Sequence, residues 1–211
     1  MLRKSALLLL LFMGTALITS AQNFGGIIEF KKQTGKEVVN YVYYVKGDKV
    51  RIDEFTPGTR EISGSFIVDT KASSMIYLNP SRKLWGTRAQ KGSPAALAGC
   101  IATPTKEVKD IFGYKCAEQI VKNESDTTEI SYYVAPGKFT FFMPMMKLLN
   151  RQERVSTYFF SLAMKDGSMP LLAIEKNLKG TERGRLEVTR LEEKDLADGM
   201  FAVPKDYTEV K

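Results

Sequence analysis

Two segments of the chain are apolar on both sides of a strand. Val39-Asn40-Tyr41-Val42-Tyr43-Tyr44-Val45 and Tyr158-Phe159-Phe160-Ser161-Leu162-Ala163-Met164 carry large apolar residues at odd and even positions alike. Side chains alternate between faces along a strand, so each segment needs cover on both sides. A flat sheet with one wet face does not supply that cover. A curved sheet wrapped round a core does, and so does an open barrel with a lid over its concave side.

The rest of the chain is consistent with such a sheet. Short runs rich in Val, Ile, Tyr and Phe recur between turn residues, the pattern of an antiparallel meander. Strands are expected near Gly26–Lys32, Glu37–Lys46, Lys49–Phe55, Ser65–Asp69, Met75–Leu78, Lys83–Arg88, Ala117–Val121, Glu129–Val134, Ser156–Lys165, Leu171–Asn177 and Arg185–Arg190, about eleven in all. Gly47-Asp48 supplies a tight hairpin turn between two of them, and Asp166-Gly167 reads the same way. Along Lys49–Asp53, Val50 and Ile52 share one face while Lys49, Arg51 and Asp53 share a wet one. Gly25-Gly26 opens the first strand as a bulge or a site of close packing. Asn123-Glu124-Ser125 matches the glycosylation pattern and is taken as a loop marker.

One helix is expected, over Pro144–Glu153. Phe142, Met145, Met146 and Leu149 fall at i, i+3, i+4 and i+7, and Pro144 sits where a first turn tolerates it. Lys147, Arg151 and Arg154 fall on or near its other side. Thioether side chains re-pack round variable shapes, so this apolar face either lines a ligand cavity or plugs a core. Pro94–Ala102 is a second candidate lid.

The N-terminus reads as an address. Arg3 and Lys4 precede an apolar run from Ala6 to Ile18, and Thr19-Ser20-Ala21 supplies the small residues a signal peptidase needs. Residues 1–21 are therefore expected to be a cleaved signal peptide and residues 22–211 one domain. No cysteine stands at the cut to accept a lipid, and the apolar run is short for a span, so no stable membrane span is expected after cleavage. The formal charge of +7 falls to about +5 without Arg3 and Lys4, and it is spread along the chain with no basic stripe. No nucleic-acid partner is expected.

Cys100 and Cys116 are the only cysteines, and an even count in an exported chain favours a disulfide between them. Closing that loop would contribute on the order of 3 kcal/mol. Two independent buried thiols are the alternative. The chain has no histidine, which removes His-based triads, His acid–base chemistry and most zinc, copper and iron sites. Adjacent carboxylates such as Asp53/Glu54 and Glu192/Glu193 point to opposite faces of a strand, and no phosphate loop or calcium loop is present. No catalytic residue, metal site or cofactor is expected, and the chain reads as a non-enzyme.

Several segments together resemble a known family. Lys46-Gly47-Asp48-Lys49-Val50-Arg51-Ile52-Asp53, Ile67-Val68-Asp69 with Met75 to Lys83, Ile111 to Cys116 and Met200 to Tyr207 resemble the exported bacterial family called domain of unknown function 4412. That family is similar in turn to the periplasmic lipoprotein carriers of LolA/LolB-like fold. The resemblance implies a mainly β (α+β) single domain: a strongly curved, unclosed antiparallel β-barrel of about eleven strands, with one or two helices in the concave face and an apolar cavity between them. It also implies a periplasmic home in a Gram-negative-type envelope, or secretion.

Two functional expectations follow. In the first, the protein binds a lipid or acyl chain, with Tyr43, Phe139, Phe141, Met145, Met146, Leu149 and Phe160 as the candidate hydrophobic cavity. In the second, those aromatics form a filled core and another envelope protein docks on the basic outer face. A monomer is expected in either case.

Overall fold

The computed structural model describes residues 23–88 and 96–210. The expected signal peptide, residues 1–21, lies outside the described residues, as does the beginning of the Pro94–Ala102 segment. Twelve strands form one curved sheet: β1 (Gly26–Thr34), β2 (Glu37–Lys46), β3 (Lys49–Phe55), β4 (Ile62–Asp69), β5 (Ser74–Asn79), β6 (Leu84–Thr87), β7 (Cys100–Ile111), β8 (Tyr114–Asn123), β9 (Thr128–Ala135), β10 (Met169–Asn177), β11 (Glu182–Glu193) and β12 (Thr208–Glu209). Their order is β12-β6-β5-β4-β3-β2-β1-β11-β10-β9-β8-β7. Two meanders are thus joined where β11 returns to pair with β1, from Gly26 opposite Glu193 to Thr34 opposite Gly184. Every pairing is antiparallel except the two-residue β12 beside β6, and β7 and β12 remain as the free edges of an unclosed barrel.

Turn chemistry sets the registers. Lys46 pairs with Lys49, so Gly47-Asp48 is a two-residue hairpin turn, with Gly47 at φ 57. Gly26 serves close packing: a Cβ there would stand 2.0 Å from the Glu192 carbonyl oxygen, so no other residue fits beside β11.

Helix α1 (Phe142–Leu149), the single-turn α2 (Arg154–Thr157) and the 3-10 turn Tyr158–Ser161 that follows cover the concave face. The convex face carries a smaller core, in which Leu196 and Phe201 of the C-terminal segment pack on Ile67 and Leu78, with Tyr44 and Trp85 alongside. Lys46 fastens that segment, donating to the Leu196 carbonyl at 2.6 Å and meeting Asp198 at 3.0 Å. This two-sided cover is what the apolar pattern of β2 requires: Tyr41 and Val45 enter the main core, and Tyr44 enters the convex one. The same segment also covers the face of β3 expected to be wet. Arg51 donates to Asp53 at 2.8 Å and to the Met200 carbonyl, and the buried Asp53 accepts from Ser65 Oγ at 2.6 Å.

Four expectations are corrected. Ser156–Lys165 is not a strand; its first residues form α2 and the 3-10 turn, because a short run of consecutive apolar residues suits a buried helical turn as well as a buried strand. The Asp166-Gly167 turn consequently leads from that helical stretch into β10 and closes no hairpin. Pro94–Ala102 is no lid in its described part, which turns through residues 96–99 directly into β7. The Cys100–Cys116 disulfide is absent, and both thiols are free. The β7–β8 hairpin turns at residues 112–113, well past the midpoint between the cysteines, so Cys100 faces Asn123 and Cys116 faces Lys109. That register separates the two by roughly 20 Å along the ladder, whereas a disulfide needs Cα atoms about 5.5 Å apart.

Candidate functional site

The site is built on the chain reversal after α1. Five of the eight α1 residues, Phe142, Met145, Met146, Leu148 and Leu149, are buried against the sheet. Asn150 then adopts the left-handed conformation (φ 44, ψ 49) and its N–H caps the helix on the Met146 carbonyl. This turn sends Arg151 and Glu153 back along the underside of the helix. The Glu153 carbonyl accepts the N–H groups of Ser156 and Thr157 at 2.9 and 3.0 Å, starting α2. Tyr132 locks that turn from β9, its hydroxyl donating to the Val155 carbonyl at 2.9 Å. Burial raises the Tyr132 pKa well above its ordinary value, so the phenol stays protonated and remains a donor.

A slot of about 50 Å³ runs beneath Met146 and Phe142. Its walls are aromatic pairs: Phe30 and Tyr43 with centroids 4.7 Å apart, Tyr132 and Phe159 at 5.6 Å, Phe142 and Phe159 at 5.5 Å. Arg151, Lys32 and Glu153 stand at its mouth. Lys32, Glu153, Val155 and Leu186 also line a neighbouring half-open cleft of about 420 Å³, with Arg154, Glu175, Arg183 and Arg185. At the mouth Lys32 Nζ lies 3.1 Å from Glu153 Oε1. The Arg151 guanidinium sits over the Tyr41 ring, 5.2 Å from its centroid, and 3.8 Å from the same Glu153 oxygen. Burial pulls the Glu153 pKa up, but Lys32 and Arg151 outweigh it and hold the carboxyl below its ordinary value. Burial raises the pKa of both Tyr41 and Tyr43 against the opposing pull of Arg151, so neither phenol ionises near neutrality.

The expected cavity residues separate into three groups. Tyr43 and Met146 line the slot. Leu149 faces an outer depression on the far side of Arg151, shared with Glu54, Phe66 and Arg88. Phe139, Phe141 and Met145 are buried in the main core and line neither slot nor cleft; the Phe24 ring lies 5.4 Å from Phe139 and 6.4 Å from Phe141. Phe160 is half-buried against the main core and lines neither slot nor cleft. Lys32, Tyr41, Tyr132 and Glu153 carried no sequence signal of their own; each is an ordinary strand or loop residue until the fold assembles it. Arg151 was expected near the polar side of a helix over Pro144–Glu153, but the helix ends at Leu149, and Arg151 follows the left-handed cap at Asn150. Among the described residues no group of His, Cys, Asp or Glu could hold a metal ion.

A family model described as "Domain of unknown function (DUF4412)" matches residues 24–207. The chain belongs to the DUF4412 family. The match runs from the residues before β1 through β11 and the convex segment, stopping just before β12, and so includes every residue of the slot. No curated protein sequence matches this DUF4412 chain. Among solved structures it is similar to an uncharacterized conserved protein from Thermus thermophilus, at 11% identity and TM-score 0.49, covering 88% of this chain and 90% of that one. It is similar to MucB at 11% identity and TM-score 0.42, covering 88% of this chain and 60% of that one. A putative outer membrane lipoprotein-sorting protein domain from Vibrio parahaemolyticus is similar at 7% identity and TM-score 0.36, with 87% and 90% covered. Among the described residues no helix is long and apolar enough to cross a membrane.

Proposed function

We propose that the protein is an exported envelope protein that binds a hydrophobic ligand, a lipid or acyl chain, with the apolar end in the slot beneath Met146 and the polar end among Lys32, Arg151 and Glu153. The observation that carries the reading is an aromatic-walled slot whose lining also includes Lys32, Arg151 and Glu153, next to a wider, charged cleft. That combination suits an amphiphile: apolar walls take the chain, and a few placed polar groups orient the head. About 50 Å³ has room for only a few water molecules, so a chain enters by displacing the Met146 side chain and lifting α1. The reading is a binding protein without catalysis, and the state of Glu153 supports it: a carboxyl held below its ordinary value is a fixed charge at neutral pH, poorly matched to proton transfer there.

The small volume of the slot also favours a second reading, in which the interior is a filled core and the protein works by docking another envelope protein. Uptake of an apolar fluorescent probe separates the two. Under the first, the wild type binds the probe and Met146→Asp, which places a charge in the slot, abolishes binding while the circular dichroism spectrum is retained. Unchanged uptake in that variant would overturn the assignment to the slot. No uptake by the wild type would favour the filled core.

A further inference from the structure

Arg151 is placed unlike the chain's other half-buried arginines. Arg51 and Arg185 have side chains 20% and 30% exposed, and each holds a carboxylate at 2.8 to 2.9 Å. Arg151 is as sheltered as Arg51, at 20%, yet its one ion pair among the described residues is the 3.8 Å approach to Glu153, beyond hydrogen-bond distance. That Glu153 oxygen already accepts from Lys32 Nζ at 3.1 Å. The guanidinium cannot shed its proton, and it presents five N–H donors in a planar fork. A sheltered charge is normally paired, because losing water without gaining a partner is costly; here Tyr41 supplies a ring face and a side-chain hydrogen bond, and no carboxylate among the described residues takes the guanidinium fork in a bidentate way. At the slot, then, two cations share one carboxylate, directly beside the apolar walls. Glu54 and Arg88 lie in the outer depression that Arg151 also lines, and Glu54 adds a second, more distant negative charge to the surroundings of Arg151.

From this geometry we infer that Arg151 is a head-group anchor and that the ligand is an anionic single-chain amphiphile. Two head-group oxygens, of a carboxylate or a phosphate monoester, would take the guanidinium fork while the chain passes Met146 into the slot. The inference rests on the proposed binding of a hydrophobic ligand and adds to it the charge of the head.

The test is a set of titrations of the purified protein with laurate, dodecyl phosphate and dodecanol, which share a chain and differ in head. Laurate or dodecyl phosphate is expected to bind about tenfold or more tighter than dodecanol, with the advantage shrinking as salt is raised. Whichever anion binds tighter identifies the head. In Arg151→Gln the ratio of anionic to neutral affinity should collapse toward one, and Arg151→Lys should restore part of it. Equal binding of all three by the wild type would overturn the anchor while leaving a hydrophobic site standing. Inorganic phosphate binding as tightly as dodecyl phosphate would overturn the amphiphile. Binding of none would overturn both this inference and the reading beneath it. The wild-type comparison is decisive even if the Gln variant fails to fold.

Discussion

Met145 and Met146 are neighbours on one helix, yet they belong to different environments. Phe24, Phe139 and Phe141 form a dry cluster and Met145 is fully buried with no share in the slot, whereas Met146 lines the slot together with Arg151. The sheet beneath is continuous, so the difference comes from what stands opposite. Beside Met146, the chain reversal at Asn150 brings the Arg151 guanidinium into the lining of the slot. A packed end and an open end on the same short helix let one part of the fold carry stability while the other is free to yield.

The largest effect that would break this comparison is on stability. Phe139→Ala in the dry cluster should cost about 3–5 kcal/mol in urea denaturation, since it leaves a cavity that rigid neighbours cannot close. Met146→Ala should cost about 2 kcal/mol, because the slot already deprives it of part of its contacts. Equal losses would mean the two ends are packed alike. Next in size, Tyr132→Phe removes the donor to the Val155 carbonyl and should cost about 1–2 kcal/mol. Amide exchange should then quicken across 154–161 but not across 139–145. Smaller still is the effect of the thiols on stability. Both should react with a thiol reagent in the unfolded protein without added reductant, while in the native state burial pushes Cys116 up to about 11 and makes it slow to label. Cys100→Ser should change stability by less than about 1 kcal/mol.

The smallest effect concerns acid. The folded-state pKa of Glu153 lies below its ordinary value of 4.5, so its contribution is complete above that value and is lost as pH falls through the folded-state pKa. Its side chain is 41% exposed, which keeps the contribution modest. Glu153→Gln should flatten the acid limb of the stability profile slightly. An unchanged limb would mean that Lys32 and Arg151 do not hold the carboxylate in solution.

The parts of the fold that could be read from the chain are those whose local chemistry and global role agree. Glu37–Lys46 and Lys49–Phe55 alternate or run apolar, are joined by Gly-Asp, and form strands with those bounds. The edge strand Cys100–Ile111 escaped notice for a physical reason: a free edge is guarded by polar residues, lysines and Pro104, with Ile101 and Val108 left exposed, so it has no apolar rhythm to find. The run from Tyr158 to Met164 misled because consecutive aromatics declare burial without declaring geometry. At the site, the i, i+3, i+4, i+7 spacing identified the buried face of α1 but was silent on which residue meets a wall and which meets a gap. That depends on Tyr132, Phe159 and Arg151, which reach the slot from a distant strand, a 3-10 turn and a chain reversal.

The central claim is that the open end of α1 receives an apolar chain. The most direct test is to express the full chain, purify the protein under non-denaturing conditions, and identify bound lipids by mass spectrometry after extraction. The account predicts an acyl species in stoichiometric amount, lost in Met146→Asp. A protein that carries no lipid and takes up no fluorescent fatty-acid probe would contradict it.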